Sequence, residues 1–184
     1  MSKTINEQAD KIMVWFMKYY PVRIRNVGEQ QKADRQTVWD FKDGRAYEKV
    51  AQLTASHLMA HFGNRISGIV FSCVPASTHE KNEIRYKSFS ERVCELTHAI
   101  NGYPHIHVAG ERPAVHEHRK DETEARTAHM ADYDTAFFKG KDVLLFDDII
   151  TKGISYATAA KSLEECGANV LGGFFLAKTF YKVR

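Results

Sequence analysis

From residue 66 onward the chain is punctuated by three apolar runs of strand length: ISGIVFSCV (Ile66 to Val74), VLLF (Val143 to Phe146) and VLGGFFLA (Val170 to Ala177). Near-continuous hydrophobicity, rather than strict alternation with polar residues, is what a strand covered on both faces requires. Segments of helical period lie between the runs. Phe89, Val93, Leu96 and Ile100 fall in register before Gly102, and Ser155 stands where it can cap a helix ending near Gly167. A short strand is also expected from His105 to Ala109. Strands alternating with helices predict an α/β fold with a mostly parallel sheet flanked by helices.

The N-terminal third reads differently. Ile5, Ala9, Ile12, Met13, Phe16 and Tyr20 recur at helical spacing until Pro21, which predicts an amphipathic helix. From Val22 to Asp43 the pattern dissolves into basic and aromatic residues, among them Arg23, Arg25, Arg35, Trp39 and Phe41, and short strands with loops are expected. Tyr47, Val50, Ala51, Thr54, Leu58 and Phe62 then define a helix ending at Gly63. With 184 residues and 43% hydrophobic content, the chain suits one core. It is read as a single domain, 1–184, in which 1–63 form a helical and aromatic hood over a core of 64–184.

Composition removes several function classes. A formal charge of +3 offers no broad basic footprint, so nucleic acid is not expected as a partner. The three cysteines are odd in number and none lies in CxxC spacing, which argues against a disulfide framework or a structural zinc site. No apolar run approaches the roughly 20 residues that cross a bilayer, and no signal-peptide pattern is present, so a cytoplasmic protein without membrane contact is expected.

The most informative stretch is DVLLFDDIITKGIS, from Asp142 to Ser155. In an open parallel sheet, ligands sit beyond the carboxyl ends of the strands, where Asp147 and Asp148 fall. The turn after them, Thr151-Lys152-Gly153-Ile154-Ser155, leads into a helix N-terminus, whose free N–H groups and dipole suit a phosphate. Gly153 permits a backbone conformation that a Cβ resists. Carboxylates repel a phosphate but accept hydrogen bonds from sugar hydroxyls, so the pattern points to a phosphorylated ribose.

VLLFDDIITKGIS resembles the phosphoribosyl-pyrophosphate (PRPP) signature of the type I phosphoribosyltransferases: an apolar strand, an acidic pair, then a phosphate loop. The resemblance implies that Asp147 and Asp148 contact the ribose hydroxyls and that the stretch Ile149, Ile150, Thr151, Lys152, Gly153, Ile154 and Ser155 wraps the 5′-phosphate. A second segment, Val74-Pro75-Ala76-Ser77 followed by Arg85-Tyr86-Lys87-Ser88-Phe89-Ser90, resembles the ComF-like group of that family. It implies that Pro75, Ala76, Ser77, Thr78, Arg85 and Lys87 hold the pyrophosphate. Ser88 replaces a glycine of that group, and the cysteine-rich N-terminal zinc module usual there is missing.

The same resemblance implies a loop from Glu111 to Arg126 that closes over PRPP, with Arg119 and Lys120 joining the acidic pair as catalytic residues. Lys178 would meet the base. Magnesium would arrive as cofactor on ligand oxygens, with no metal cage built from protein side chains. The expected activity is transfer of a phosphoribosyl group from PRPP to a nucleobase or related amine with release of pyrophosphate, and a homodimer is left open. A PRPP- or nucleotide-binding regulator without transferase chemistry, or a DNA-processing accessory, is the competing expectation.

Nine histidines invite a metal reading. His57 and His61 lie four apart on a helical segment that lacks the glutamate of the zinc-protease motif, and packing is the expectation for both. His105, His107, His116 and His118 alternate along extended segments without an obvious third ligand. Trp39, Phe41, Phe174, Phe180 and Tyr181 could stack on a base, with core or surface packing the simpler role for each.

Overall fold

The structure, a computed structural model, describes residues 6–8, 10–108 and 131–183. The element order is β1 (Ile12–Tyr19), α1 (Glu29–Lys42), α2 (Tyr47–Phe62), a 3-10 segment (Gly63–Gly68), β2 (Val70–Cys73), α3 (His79–Thr97), β3 (Ile100–Asn101), β4 (Ile106–Val108), β5 (Ala131–Tyr133), α4 (Thr135–Phe138), β6 (Asp142–Ile150), α5 (Ile154–Glu165) and β7 (Asn169–Thr179). Five strands form one sheet in the order β1-β7-β6-β2-β3, parallel throughout. Strands β4 and β5 pair antiparallel in a separate ribbon. The fold is α/β, with the parallel sheet covered by helices.

The two faces carry separate cores, as the continuous apolar runs require. On one face Val38 and Phe41 of α1, Leu58 of α2 and Tyr86, Phe89 and Val93 of α3 meet Leu144, Phe146, Phe174 and Leu176 of the sheet. Phe41, Phe89 and Phe146 form an aromatic triangle with ring centroids 4.6 to 5.8 Å apart, all three fully buried. Burying each ring is worth about 1.5–3 kcal/mol, and the edge contacts add to it. On the other face Tyr156, Ala159, Ala160 and Leu163 of α5 and Phe138 of α4 meet Val143, Leu145 and Phe175.

The first element departs from expectation. Ile12–Tyr19 is not a helix but the edge strand of the sheet, paired with β7 from Ile12 opposite Gly172 to Tyr19 opposite Thr179. Its apolar residues satisfy the helical period and the strand period alike, and the pairing surface of β7 decides between them. Gly172, at φ +155, makes the approach possible, because a Cβ there would collide with the carbonyl oxygen of Ile12. Residues 22–43 also differ. A helix, α1, fills 29–42, with Val38 and Phe41 as its buried anchors and otherwise polar sides. The segment expected as a hood therefore supplies a strand of the sheet and two helices of one layer.

Smaller boundaries shift for identifiable reasons. The third helix stops at Thr97, where His98 takes a left-handed conformation at φ 60, and Ile100 begins strand β3 instead of completing the helix. The strand at 106–108 exists but belongs to the ribbon rather than to the main sheet. No described helix is long and apolar enough to cross a membrane.

Candidate functional site

The crossover connections fix where a ligand can sit. From β2 the chain passes through α3 on one face of the sheet, and from the adjacent β6 it passes through α5 on the other. Between β2 and β6 the connections part, which opens a crevice beyond their carboxyl ends, the general ligand position of open α/β sheets. The loop 74–78 and the turn 151–155 form its two lips.

Two cavities lie at the carboxyl ends of these strands. One of about 270 Å³ is lined by Asp147, by Ile149 to Ser155 and by Tyr156. A second of about 220 Å³ lies between Val74, Pro75 and Ser77, the ribbon residues Ala131 and Tyr133, and the hydroxyl-bearing face of α5 formed by Ser155, Thr158 and Ser162. Ser155 lines both, so the two cavities meet at the helix N-terminus. Lys152 is the only cation among the described residues lining them.

The turn behaves as its sequence suggests. Gly153 sits at φ +77 and caps α5 from a left-handed conformation. A helix leaves its first N–H groups without intrahelical partners, and among the described residues no side chain caps these, which leaves them to the cavity. Ser155 was expected as the cap but stands one residue inside the helix with its side chain exposed. Thr151 shares a 2.7 Å hydroxyl contact with Thr179 of β7, which ties the turn to the neighbouring strand.

The acidic pair lies inside β6, not beyond its end, because the strand runs on to Ile150. Its two members have unequal surroundings. Asp148 is buried, and its Oδ2 accepts from Arg85 Nη1 at 2.6 Å and lies 3.8 Å from Lys42 Nζ. Asp147 makes no ion pair among the described residues. Its Oδ1 accepts from the Tyr86 hydroxyl at 3.3 Å and from the Asp148 backbone N–H at 2.9 Å. Burial, then the charge of Asp148, hold the Asp147 carboxyl well above the usual carboxylate range. Burial and both carboxylates likewise push the Tyr86 phenol up.

The candidate pyrophosphate residues separate. Pro75, Ala76, Ser77 and Thr78 do form the lip after β2, but the Ala76 N–H donates to Asn82 Oδ1 and the Thr78 hydroxyl caps α3 by accepting from the Lys81 N–H. Arg85 and Lys87 lie on α3 rather than in a loop. Two positions apart, they leave the helix on nearly opposite sides. Arg85 turns inward to Asp148, whereas Lys87 is exposed and pairs with Glu83 at 3.1 Å. They do not act as one basic patch at the crevice.

Lys178 stands near the end of β7 with its ammonium 4.0 Å above the centre of the Trp15 ring, which is 41% exposed. Phe41 and Phe174 are fully buried core residues, so neither offers a face to a base. His57 stacks on Phe16 with ring centroids 4.3 Å apart, and His61 Nδ1 lies 2.9 Å from the His57 carbonyl while its ring meets Phe174 edge-on. His105 stacks on Phe137 and reaches Asp134 at 3.0 Å. Glu111 to Arg126, with Arg119 and Lys120, lies outside the described residues.

Lys42 and Tyr86 were not anticipated at the site. Tyr86 carried a readable signal: it continues the buried stripe of Phe89 and Val93, and a tyrosine in such a stripe must find a partner for its hydroxyl. Lys42 had none, since its approach depends on the way α1 lies across the sheet.

No protein-family model matches the chain, and no curated protein matches it. The ComF-like affinity expected from Val74-Pro75 and Arg85 to Ser90 thus finds no support, and Arg85 to Ser90 is a helical segment. Among solved structures the chain is similar to an adenine phosphoribosyltransferase, at 18% identity and TM-score 0.45 over 72% of this chain and 69% of that one. It is similar at the same identity and TM-score to adenine phosphoribosyltransferase from Saccharomyces cerevisiae complexed with an imino-altritol bisphosphate and adenine, over 72% and 68% of the two chains.

Proposed function

We propose that the chain binds PRPP in the crevice between β2 and β6 and transfers its phosphoribosyl group to a nucleobase or related amine, releasing pyrophosphate. One observation carries this reading: the glycine-capped N-terminus of α5, open to a cavity that Asp147 also lines. An anion held by the helix end would place a sugar hydroxyl within reach of the carboxyl. In the transfer, the bond from the ribose anomeric carbon to the pyrophosphate oxygen breaks and a bond to the acceptor nitrogen forms. The nitrogen gives up its proton. No protein nucleophile is needed, so the work of the chain is to orient the two reactants and exclude water.

Among the described residues no three His, Cys, Asp or Glu gather as a metal cage. The cavity lining offers no cluster of carboxylates, which suits a magnesium ion that keeps its water and rides on phosphate oxygens. Bound there, magnesium would supply charge neutralisation for the departing pyrophosphate. Lys178 above Trp15 is the candidate platform for the acceptor base.

A second reading, a PRPP- or nucleotide-binding regulator without transferase chemistry, is favoured by the ion pair that occupies Asp148. Incubation with PRPP, Mg²⁺ and a panel of bases, monitoring pyrophosphate release beside PRPP binding by calorimetry, separates the two. Base-dependent release supports the transferase. Binding without release supports the regulator, and absence of binding overturns both.

A further inference from the structure

We propose that Asp147 alone of the acidic pair touches the sugar, so that the site reads a single ring hydroxyl rather than a diol and accepts a monodeoxy pentose phosphate. This rests on the reading that the cavity takes a phosphorylated pentose. Asp147 lines the cavity beside the phosphate turn, and Asp148 does not. The Asp148 side chain is only 8% exposed, against 16% for its partner Arg85, and two cations from two helices converge on the same carboxylate oxygen. Both cations hold its Oδ2, and the buried carboxylate is not part of the cavity lining. Asp148 is therefore a strut between the sheet and the α1 and α3 layer.

Asp147 is free to serve the ligand. Its Oδ1 already accepts from Tyr86 and from the Asp148 N–H, which orients the carboxyl and leaves Oδ2 with no partner among the hydrogen bonds of the described residues. A carboxyl whose charge is disfavoured by burial also repels a neighbouring phosphate less.

The consequence is a measurable selectivity. A site built to hydrogen-bond a hydroxyl rejects the analogue lacking it by factors on the order of 10⁴ in the strongest cases, so one contact and two are well separated. Calorimetric titration of the intact chain with ribose 5-phosphate, 2-deoxyribose 5-phosphate and 3-deoxyribose 5-phosphate tests it. One deoxy sugar is expected to bind within about threefold of ribose 5-phosphate and the other at least tenfold more weakly. Asp147→Asn should then weaken ribose 5-phosphate and leave the poorer deoxy sugar unchanged, because that sugar already lacks the contact. Tenfold losses for both analogues mean that both carboxylates read the sugar and overturn the inference. Equal binding of all three removes Asp147 from the sugar and overturns it as well. If ribose 5-phosphate itself fails to bind, the phosphorylated-pentose reading falls, an outcome distinct from either.

Discussion

Arg85 Nη1 stands 2.6 Å from Asp148 Oδ2, so that a helix of one layer and the central strand of the sheet are joined by a charge pair with little access to water. Removing one partner of such a pair leaves the other charge uncompensated, at about 3–5 kcal/mol. Arg85→Met and Asp148→Asn are each expected to lose about that much in urea denaturation. Arg85→Met combined with Asp148→Asn should recover part of the loss, since the charge then left without its partner is that of Lys42, which reaches solvent. Additive losses in the double variant would show that the pair does not act as a unit.

Asp147 should make the fold less stable as the pH rises. Its carboxyl is held well above the ordinary aspartate value of 3.8, mainly by burial. The folded protein therefore binds that proton more tightly than the unfolded chain does. Its contribution is fully present below about pH 3.8 and is lost as the pH climbs through the raised folded value. Asp147→Asn should remove this decline and be at least as stable as the parent at neutral pH. Stability curves of the two proteins that run parallel from acid to neutral pH would refute the shifted carboxyl.

Gly153 and Gly172 should respond differently to alanine. At Gly153 the added Cβ meets nothing nearer than Ile150 Cδ1 at 3.7 Å, so the cost is the left-handed backbone alone, about 1–2 kcal/mol. Gly172→Ala puts a Cβ into the backbone of Ile12 and must push β1 off the sheet. Hydrogen exchange in Gly172→Ala is expected to open Ile12–Tyr19 while β6 stays protected. Unchanged protection of β1 would show that the strand can shift to make room.

The aromatic triangle gives a stability test of the larger core. Phe89→Ala leaves a cavity against Phe41 and Phe146 and is expected to cost about 3–5 kcal/mol in equilibrium unfolding. A loss under about 1 kcal/mol would mean that the three helices of that face are not one packed unit with the sheet.

What could be read from the sequence and what could not divide along a physical line. The strands β2, β6 and β7 were legible because both of their faces are buried, and the phosphate turn was legible because Gly153 and its neighbours act locally. Strand β1 was not legible: IMVWFMKY carries apolar residues at either period, and the decision rests with Gly172, far along the chain. Helix α1 escaped because Val38 and Phe41 are its only buried residues, too few to show a period among charged neighbours. Arg85 and Lys87 looked like a basic cluster in one dimension, yet a helix sends them to different environments. The inequality of Asp147 and Asp148 was invisible, since it depends on cations delivered by α1 and α3.

The pairing of β1 with β7 imposes an order on biosynthesis. Trp15 leaves the ribosome long before its partner Phe175. Until β7 has been made the segment IMVWFMKY lacks the strand it pairs with, and it is the kind of apolar, strand-forming sequence that seeks any open edge. A nascent chain stalled before residue 169 holds that segment without its template. Such truncated chains are the ones that should engage chaperones or aggregate, and the sheet closes only when its first and last strands are in hand together.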